Sequence, residues 1–171
     1  YPTADRFVEA YGMGQLQDAV DMRKLSGQTS VRPLSVYVHI PFCESLCYYC
    51  ACNKIVTKHH GKADQYLDYL SQEIAQYAKL LNEHRDGSSA ASKVQLNQLH
   101  FGGGTPTFLS DEQLAKLMLE LRRHFALSES GEYAIEIDPR TVSNSRLAHL
   151  KELGFNRISL GVQDFDEDVQ K

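Results

Sequence analysis

Short apolar strands alternate with amphipathic helices along most of this chain, and that alternation limits the fold more than any other feature. Ser35–Ile40 is a β-branched and aromatic run stopped by Pro41. Residues 62–84 then read as a helix, with Tyr66, Leu67, Leu70, Ile74, Ala78 and Leu81 at 3.6-type spacing. A second strand, Val94–Phe101, runs into Gly102-Gly103-Gly104-Thr105-Pro106. Ser110-Asp-Glu-Gln113 is a capping box, in which Ser110 and Gln113 each satisfy an orphan backbone donor. The helix it opens carries Leu114, Leu117, Met118, Leu121 and Phe125. Tyr133–Ile137 is a third strand, stopped by Asp138-Pro139. Ser143 or Asn144 caps a helix with Leu147, Leu150 and Leu153, and Gly154 fits its C′ position. Arg157–Val162 is a fourth strand, and another helix begins after Asp164.

This order indicates right-handed βαβ units on a parallel sheet, so the expected fold class is α/β. The unusual residues fall at equivalent places. Cysteines follow the first strand, glycines the second, Glu136 and Asp138 end the third, and Gln163 and Asp164 end the fourth. Sites in such folds form at the carboxyl ends of strands, so these signals share one rim. A closed (βα)8 barrel takes about 250 residues. Four strands in 171 residues therefore read as part of a partial TIM-like barrel. Residues 35–171 form its N-terminal portion, truncated before the later strands, and residues 1–34 form an N-terminal arm. Within the arm, Phe7, Val8, Tyr11, Leu16 and Val20 suggest a helix that Gly12 and Gly14 interrupt. Arg85–Lys93 is a polar, small-residue loop.

Composition narrows the function classes. Apolar residues make up 42% and charged residues 23%, which is ordinary globular chemistry. The net charge of −4 gives no electrostatic reason to expect nucleic acid or an anionic membrane as partner. No apolar run approaches the ~20 residues that span a bilayer, and no secretory pattern opens the chain. A cytoplasmic location is expected.

All four cysteines lie in the stretch His39–Cys52, as Cys43-x3-Cys47-x2-Cys50 and then Cys52. In a chain of this kind clustered thiols point to metal or redox chemistry before disulfides. Three thiolates at this spacing reach three irons of a cubane cluster, where four cysteines are the norm. The remaining iron then keeps an open coordination site for a small chelating molecule, by the logic that separates catalytic from structural zinc. Two other readings stand beside this one. Structural zinc would use all four cysteines or add His59 or His60, although no second knuckle is present. A redox pair of Cys50 and Cys52 would leave Cys43 and Cys47 unexplained. The glycine run suits a tight turn with close backbone approach, and it is not a P-loop because no Gly-Lys-Ser/Thr follows.

The cysteine triad preceded by His39-Ile-Pro-Phe resembles the radical S-adenosylmethionine (SAM) superfamily. Several further motifs resemble one of its families, the oxygen-independent coproporphyrinogen III oxidases (coproporphyrinogen dehydrogenases) of haem biosynthesis. They are Tyr1-Pro-Thr-Ala-Asp-Arg-Phe7, Tyr37–Cys43, Cys52-Asn53-Lys54, Gly102–Thr107, Glu136-Ile-Asp-Pro-Arg140 and Gly161-Val-Gln-Asp-Phe165. The resemblance implies that Cys43, Cys47 and Cys50 ligate a [4Fe–4S] cluster. It implies that SAM chelates the open iron and is cleaved to a 5′-deoxyadenosyl radical. Glu136, Tyr37 and Tyr49 match SAM-pocket positions, and at Tyr49 only the ring is common to the family. Gly103, Gly104, Thr105 and Gln163 match positions near a second SAM. Cys52 matches a non-ligand cysteine beside the cofactors, and with His39 it is an accessory catalytic candidate.

The implied reaction is anaerobic oxidative decarboxylation of coproporphyrinogen III to protoporphyrinogen IX by the full-length protein, with the segment alone inactive. The implied partners are that substrate and a flavodoxin- or ferredoxin-like one-electron donor, the protein acting as a monomer. The alternative is a haem-binding chaperone that shares the cluster motif. Such paralogues carry an aromatic residue in place of Cys52 and lack the Tyr1–Phe7 motif, so both features favour the oxidase.

Overall fold

The computed structural model describes residues 10–25, 33–48, 50–82 and 93–170. In chain order the elements are α1 (Met13–Leu25), β1 (Leu34–Ile40), β2 (Phe42–Cys43), β3 (Ile55–Val56) and α2 (Lys62–Asn82). They continue with β4 (Gln95–Gly103), a one-turn 3-10 helix (Pro106–Phe108), α3 (Asp111–His124), β5 (Ala126–Glu136), α4 (Asn144–Glu152), β6 (Arg157–Ser159) and α5 (Glu167–Gln170). The main sheet runs β1-β4-β5-β6, and every ladder in it is parallel. That is the arrangement expected of successive βαβ units.

Side chains alternate across the strands, and the two faces differ in chemistry. Val38 and Ile40 on β1, Leu99 and Phe101 on β4, and Tyr133 and Ile135 on β5 are buried. They join Leu67, Ile74 and Ala78 of α2 and Leu114, Leu117, Met118 and Leu121 of α3 in one apolar core. The opposite face carries Ser35, Tyr37, Gln98, His100, Glu132, Glu136 and Arg157, none of them buried. There the Ser35 hydroxyl donates to Gln98 Oε1 at 2.7 Å, and Arg157 Nη1 donates to Glu132 Oε2 at 2.6 Å.

The local signals act as expected at the helix ends. Ser110 Oγ accepts from Gln113 N at 3.2 Å, and Gln113 Oε1 accepts from Ser110 N at 2.9 Å. Ser143 is the N-cap of α4, accepting from Arg146 N at 3.2 Å. Gly154, just past α4, has φ +100°, a conformation in which a Cβ is costly.

Four expectations change. Gly14 lies inside α1, and Leu16 N donates to Gly12 O at 3.1 Å, so the helical bonding starts at Gly12. Residues 1–9 of the expected arm, like most of the Arg85–Lys93 loop and the end of the 62–84 helix, lie outside the described residues. The third strand begins at Ala126 instead of Tyr133, because pairing of Ala126 and Leu127 with Gln95 and Leu96 recruits a locally polar stretch. The fourth strand ends at Ser159, not Val162, because its partner strand ends at Glu136. The helix expected from Asp164 begins at Glu167.

Candidate functional site

Pro41 has no N–H to donate and ends β1, and the chain turns directly into β2. β2 pairs in parallel with β3, Phe42 opposite Ile55 and Cys43 opposite Val56. Ile55 N donates to Pro41 O at 2.7 Å and Thr57 N to Cys43 O at 2.9 Å. This small clip closes the base of the cysteine loop and buries Cys43, while Cys47 stays exposed and Cys50 half-buried. Phe42 is wedged between Tyr66, edge-on at 5.6 Å, and Phe108, stacked at 5.2 Å. The cysteine loop is therefore anchored on the core through the residue preceding its first thiol.

The glycine run closes the same site from β4. Gly104 N donates to Ile40 O and Thr105 N to Phe42 O, both at 2.8 Å. A Cβ on Gly104 would stand 2.8 Å from Cys43 Sγ, so the missing side chain makes room for that sulfur. Gly103 has φ +117°, and its N–H is spent on Glu136. Cys43, Cys47, Cys50, Gly104 and Thr105 line one cavity of about 330 Å³. Lys54, Asp138 and Arg140 line it as well, whereas Cys52 does not.

The thiols differ electrostatically. Burial pushes the Cys43 thiol up, partly offset by the Thr105 hydroxyl, which donates to Cys43 Sγ at 3.6 Å. The Cys50 thiol is held below its ordinary value, first by the backbone N–H of Cys52 and further by the Lys54 ammonium. Cys52 is pushed up, chiefly because its S–H donates to Cys50. Lys54 Nζ also donates to the carbonyls of Cys50 at 3.1 Å and Cys52 at 3.4 Å, tying down the end of the loop. Across the cavity Asp138 holds Arg140 by Nε at 2.9 Å and Nη2 at 2.7 Å, and this pairing depresses the Asp138 carboxyl.

A second cluster adjoins the cavity on the open face of the sheet. Tyr37 and His100 are register partners, and their rings stack at 5.7 Å with an interplanar angle of 12°. His39 Nε2 lies 2.8 Å from the carbonyl of Asn53, which only accepts, so that nitrogen carries a proton. In the neutral ring Nδ1 is then free to accept from the Tyr37 hydroxyl, 3.2 Å away. The Tyr66 hydroxyl donates to the His39 carbonyl. Glu136, the last residue of β5, accepts from His100 Nε2 at 3.0 Å and from Gly103 N at 3.2 Å.

The structure thus brings Cys43, Cys47, Cys50, Gly104 and Thr105 to one cavity, and Tyr37, His39, Gly103 and Glu136 to the network beside it. Cys52 sits at the edge, exposed, with its thiol on Cys50. Gln163 is not drawn in. It is exposed four residues beyond β6 at φ +69°, with its amide folded over Gly161. Tyr49 lies outside the described residues. His100 and Arg140 were not singled out as site residues by the sequence, although Arg140 ends one of the quoted motifs and His100 lies two positions before another. His60, a possible added ligand in the zinc reading, is exposed, stacks on Phe108 at 4.3 Å and pairs with Glu44 at 3.2 Å.

The Radical SAM superfamily profile matches residues 37–171, and the chain belongs to the radical SAM superfamily. Over its whole length it is 51% identical to the oxygen-independent coproporphyrinogen III oxidase of Pseudomonas aeruginosa, of which it covers 35%. It is 47% identical to the protein of that name from Escherichia coli, covering 34% of it. The Mannheimia haemolytica protein of the same name is 42% identical, the match taking in 81% of this chain and 84% of that protein. The solved structure of coproporphyrinogen III oxidase from Escherichia coli, a radical SAM enzyme, has a TM-score of 0.84 to this chain at 47% identity. That match covers 99% of this chain and 36% of the solved one. Within the superfamily, the family is that of the oxygen-independent coproporphyrinogen III oxidases. The chain spans about a third of the length of the first two relatives.

Superfamily membership implies a [4Fe–4S] cluster and SAM. The residues present fit such a group. Three thiols border a cavity from which a Cβ at position 104 would exclude Cys43 Sγ. Among the described residues no three His, Cys, Asp or Glu side chains converge on a point that would hold a single metal ion. Cys43, Cys47 and Cys50 share the lining of one cavity, as the ligands of a polynuclear cluster would.

Proposed function

We propose that this chain forms the cofactor-binding portion of an enzyme that oxidatively decarboxylates two propionate side chains of coproporphyrinogen III to vinyl groups. Each propionate gives up CO2, one hydrogen atom to the radical derived from SAM and one electron to an external one-electron acceptor. The cluster, when bound, supplies the electron that splits SAM into methionine and a hydrogen-abstracting radical.

The observation that carries the reading is the shared cavity of Cys43, Cys47 and Cys50 at the strand ends, with Cys52 outside it. Cys43, Cys47 and Cys50 would hold the cluster and leave one iron to SAM. The half-exposed Glu136 carboxylate and the Tyr37 ring would orient SAM on the open face. Backbone at Gly103, Gly104 and Thr105, stripped of Cβ bulk at the two glycines, would admit the ligand closely. A second SAM near Gly103, Gly104, Thr105 and Gln163, with Tyr49 beside the first, completes the proposed cofactor set. His39, on β1 and tied to the Asn53 carbonyl of the cysteine loop, would steady the Tyr37 hydroxyl. Cys52, which does not line the cavity of the other three thiols, would serve beside the cluster and not on it.

Residues 1–34 are proposed as an arm and 35–171 as the first part of the barrel. A flavodoxin- or ferredoxin-like donor would supply electrons to a monomeric enzyme. The four free thiols support a reducing, cytoplasmic setting, and no described helix is long and apolar enough to cross a membrane.

The test is anaerobic reconstitution of the full-length protein. About four irons and four sulfides per chain, 5′-deoxyadenosine formation and release of two CO2 per porphyrinogen are expected. Stoichiometric haem binding without decarboxylation, or one zinc per chain with no sulfide, would sink the reading.

A further inference from the structure

We infer that His100 is a positioning residue for the SAM-binding side chains, holding the Glu136 carboxylate in plane and backing the Tyr37 ring. The inference rests on the reading above, in which Glu136 and Tyr37 touch SAM. His100 itself lies one strand in from Tyr37 and one strand out from Glu136, and its side chain touches both.

The geometry gives each contact a use. Glu136 has two oxygens, and β4 takes one lone pair from each. Oε1 accepts from His100 Nε2 at 3.0 Å and Oε2 from Gly103 N at 3.2 Å. Because a carboxylate only accepts, His100 Nε2 carries the proton. Two donors from one strand fix the carboxylate plane, and its remaining lone pairs stay free for a ligand's ammonium or hydroxyl groups. With only the Gly103 N–H left, the side chain would pivot about a single bond.

On its other side the His100 ring stacks on Tyr37 at 12°. The Tyr37 hydroxyl is already held by His39, so ring and hydroxyl are fixed from two directions. Gly102 completes the row, since a Cβ there would stand 2.9 Å from both Glu136 Oε1 and Tyr37 Cε2. Stability alone is a poor reason for this constellation. The His100–Glu136 pair is 36% and 41% exposed on an uncovered face, where ion pairs contribute little.

The experiment measures equilibrium SAM binding to the cluster-reconstituted full-length protein carrying H100F, H100Q or E136Q, beside iron and sulfide content and melting temperature. H100F keeps a flat ring and loses the donor, whereas H100Q keeps a donor and loses the ring. H100L, which loses both, is the second donor-free variant should H100F fail to fold. The expected result is about tenfold weaker SAM binding in H100F, with substantial recovery in H100Q and cluster content unchanged. Parental SAM affinity in H100F alongside weakened binding in E136Q overturns the inference and leaves the reading of Glu136 standing. Parental affinity in E136Q overturns that reading and the inference with it. A fall in cluster content that accounts for the lost binding makes His100 structural and also overturns the inference.

Discussion

The two faces of the β1-β4-β5-β6 sheet are built from the same strands and serve different ends. On one face Val38, Leu99, Phe101 and Ile135 disappear under α2 and α3. On the other, one residue along each strand, His39, His100 and Glu136 remain accessible and bonded to one another or to loops. Stability belongs to the first face and ligand chemistry to the second. A barrel interior filled with branched apolar side chains would be a packed core, whereas this face offers polar groups to a ligand.

The sharpest way to break the comparison is to delete one thiol. Cys50→Ala should abolish cluster retention and all SAM cleavage, read as iron and sulfide content and 5′-deoxyadenosine. The metal-free protein should melt within about 0.5 kcal/mol of its parent, as expected for a partly exposed side chain outside the core. Phe101→Ala should do the reverse. Phe101 is fully buried and packs edge-on against Phe155 at 5.1 Å, so truncation should cost about 3–5 kcal/mol in denaturant unfolding. If Phe101→Ala spared stability, or Cys50→Ala unfolded the metal-free chain, the division between faces would fail.

Gly103→Ala tests the seam where the faces meet. Its φ of +117° is hostile to a side chain, and a Cβ would lie 2.8 Å from the His39 ring. A loss of about 1–3 kcal/mol is expected together with weakened SAM binding, since the Glu136 and His39 contacts shift as one. Ser110→Ala touches only the covered side, removing half of a capping box. It should cost about 1 kcal/mol in unfolding and leave SAM affinity unchanged.

What was legible in the sequence follows the same division. Core strands, helix caps and the rim positions of the cysteines, glycines and Glu136 all rest on short-range pattern, in periodicity, capping residues and strand-end motifs. The clip of Phe42–Cys43 on Ile55–Val56 was not legible, because two-residue strands carry no periodicity. The early start of β5 at Ala126 depends on pairing with a strand about thirty positions earlier, overriding its local Ser-rich character. His100 and Arg140 fall in the same class. Their roles depend on Glu136 and Tyr37, or on a cavity wall, brought near by the fold.

The smallest effect expected is a pH dependence at Asp138. Its carboxyl sits below the usual range, first because the Arg140 guanidinium donates to it and also through the Arg140 backbone N–H. A carboxylate whose native value is depressed binds its proton more readily in the unfolded chain. Its contribution to stability is therefore complete above the ordinary carboxylate value of about 3.9, and it fades as pH falls further through the native value. Arg140 is largely exposed, so solvent screens the pair and the contribution is about 0–1 kcal/mol. Asp138→Asn should accordingly melt slightly below its parent at pH 6, and the gap should close as pH drops below about 4. A gap that widened in acid would mean that Asp138 is stabilised in its protonated form. The Asp138–Arg140 pair would then be no fixed charge on the cavity wall, and the open face would be less preorganised than its geometry indicates.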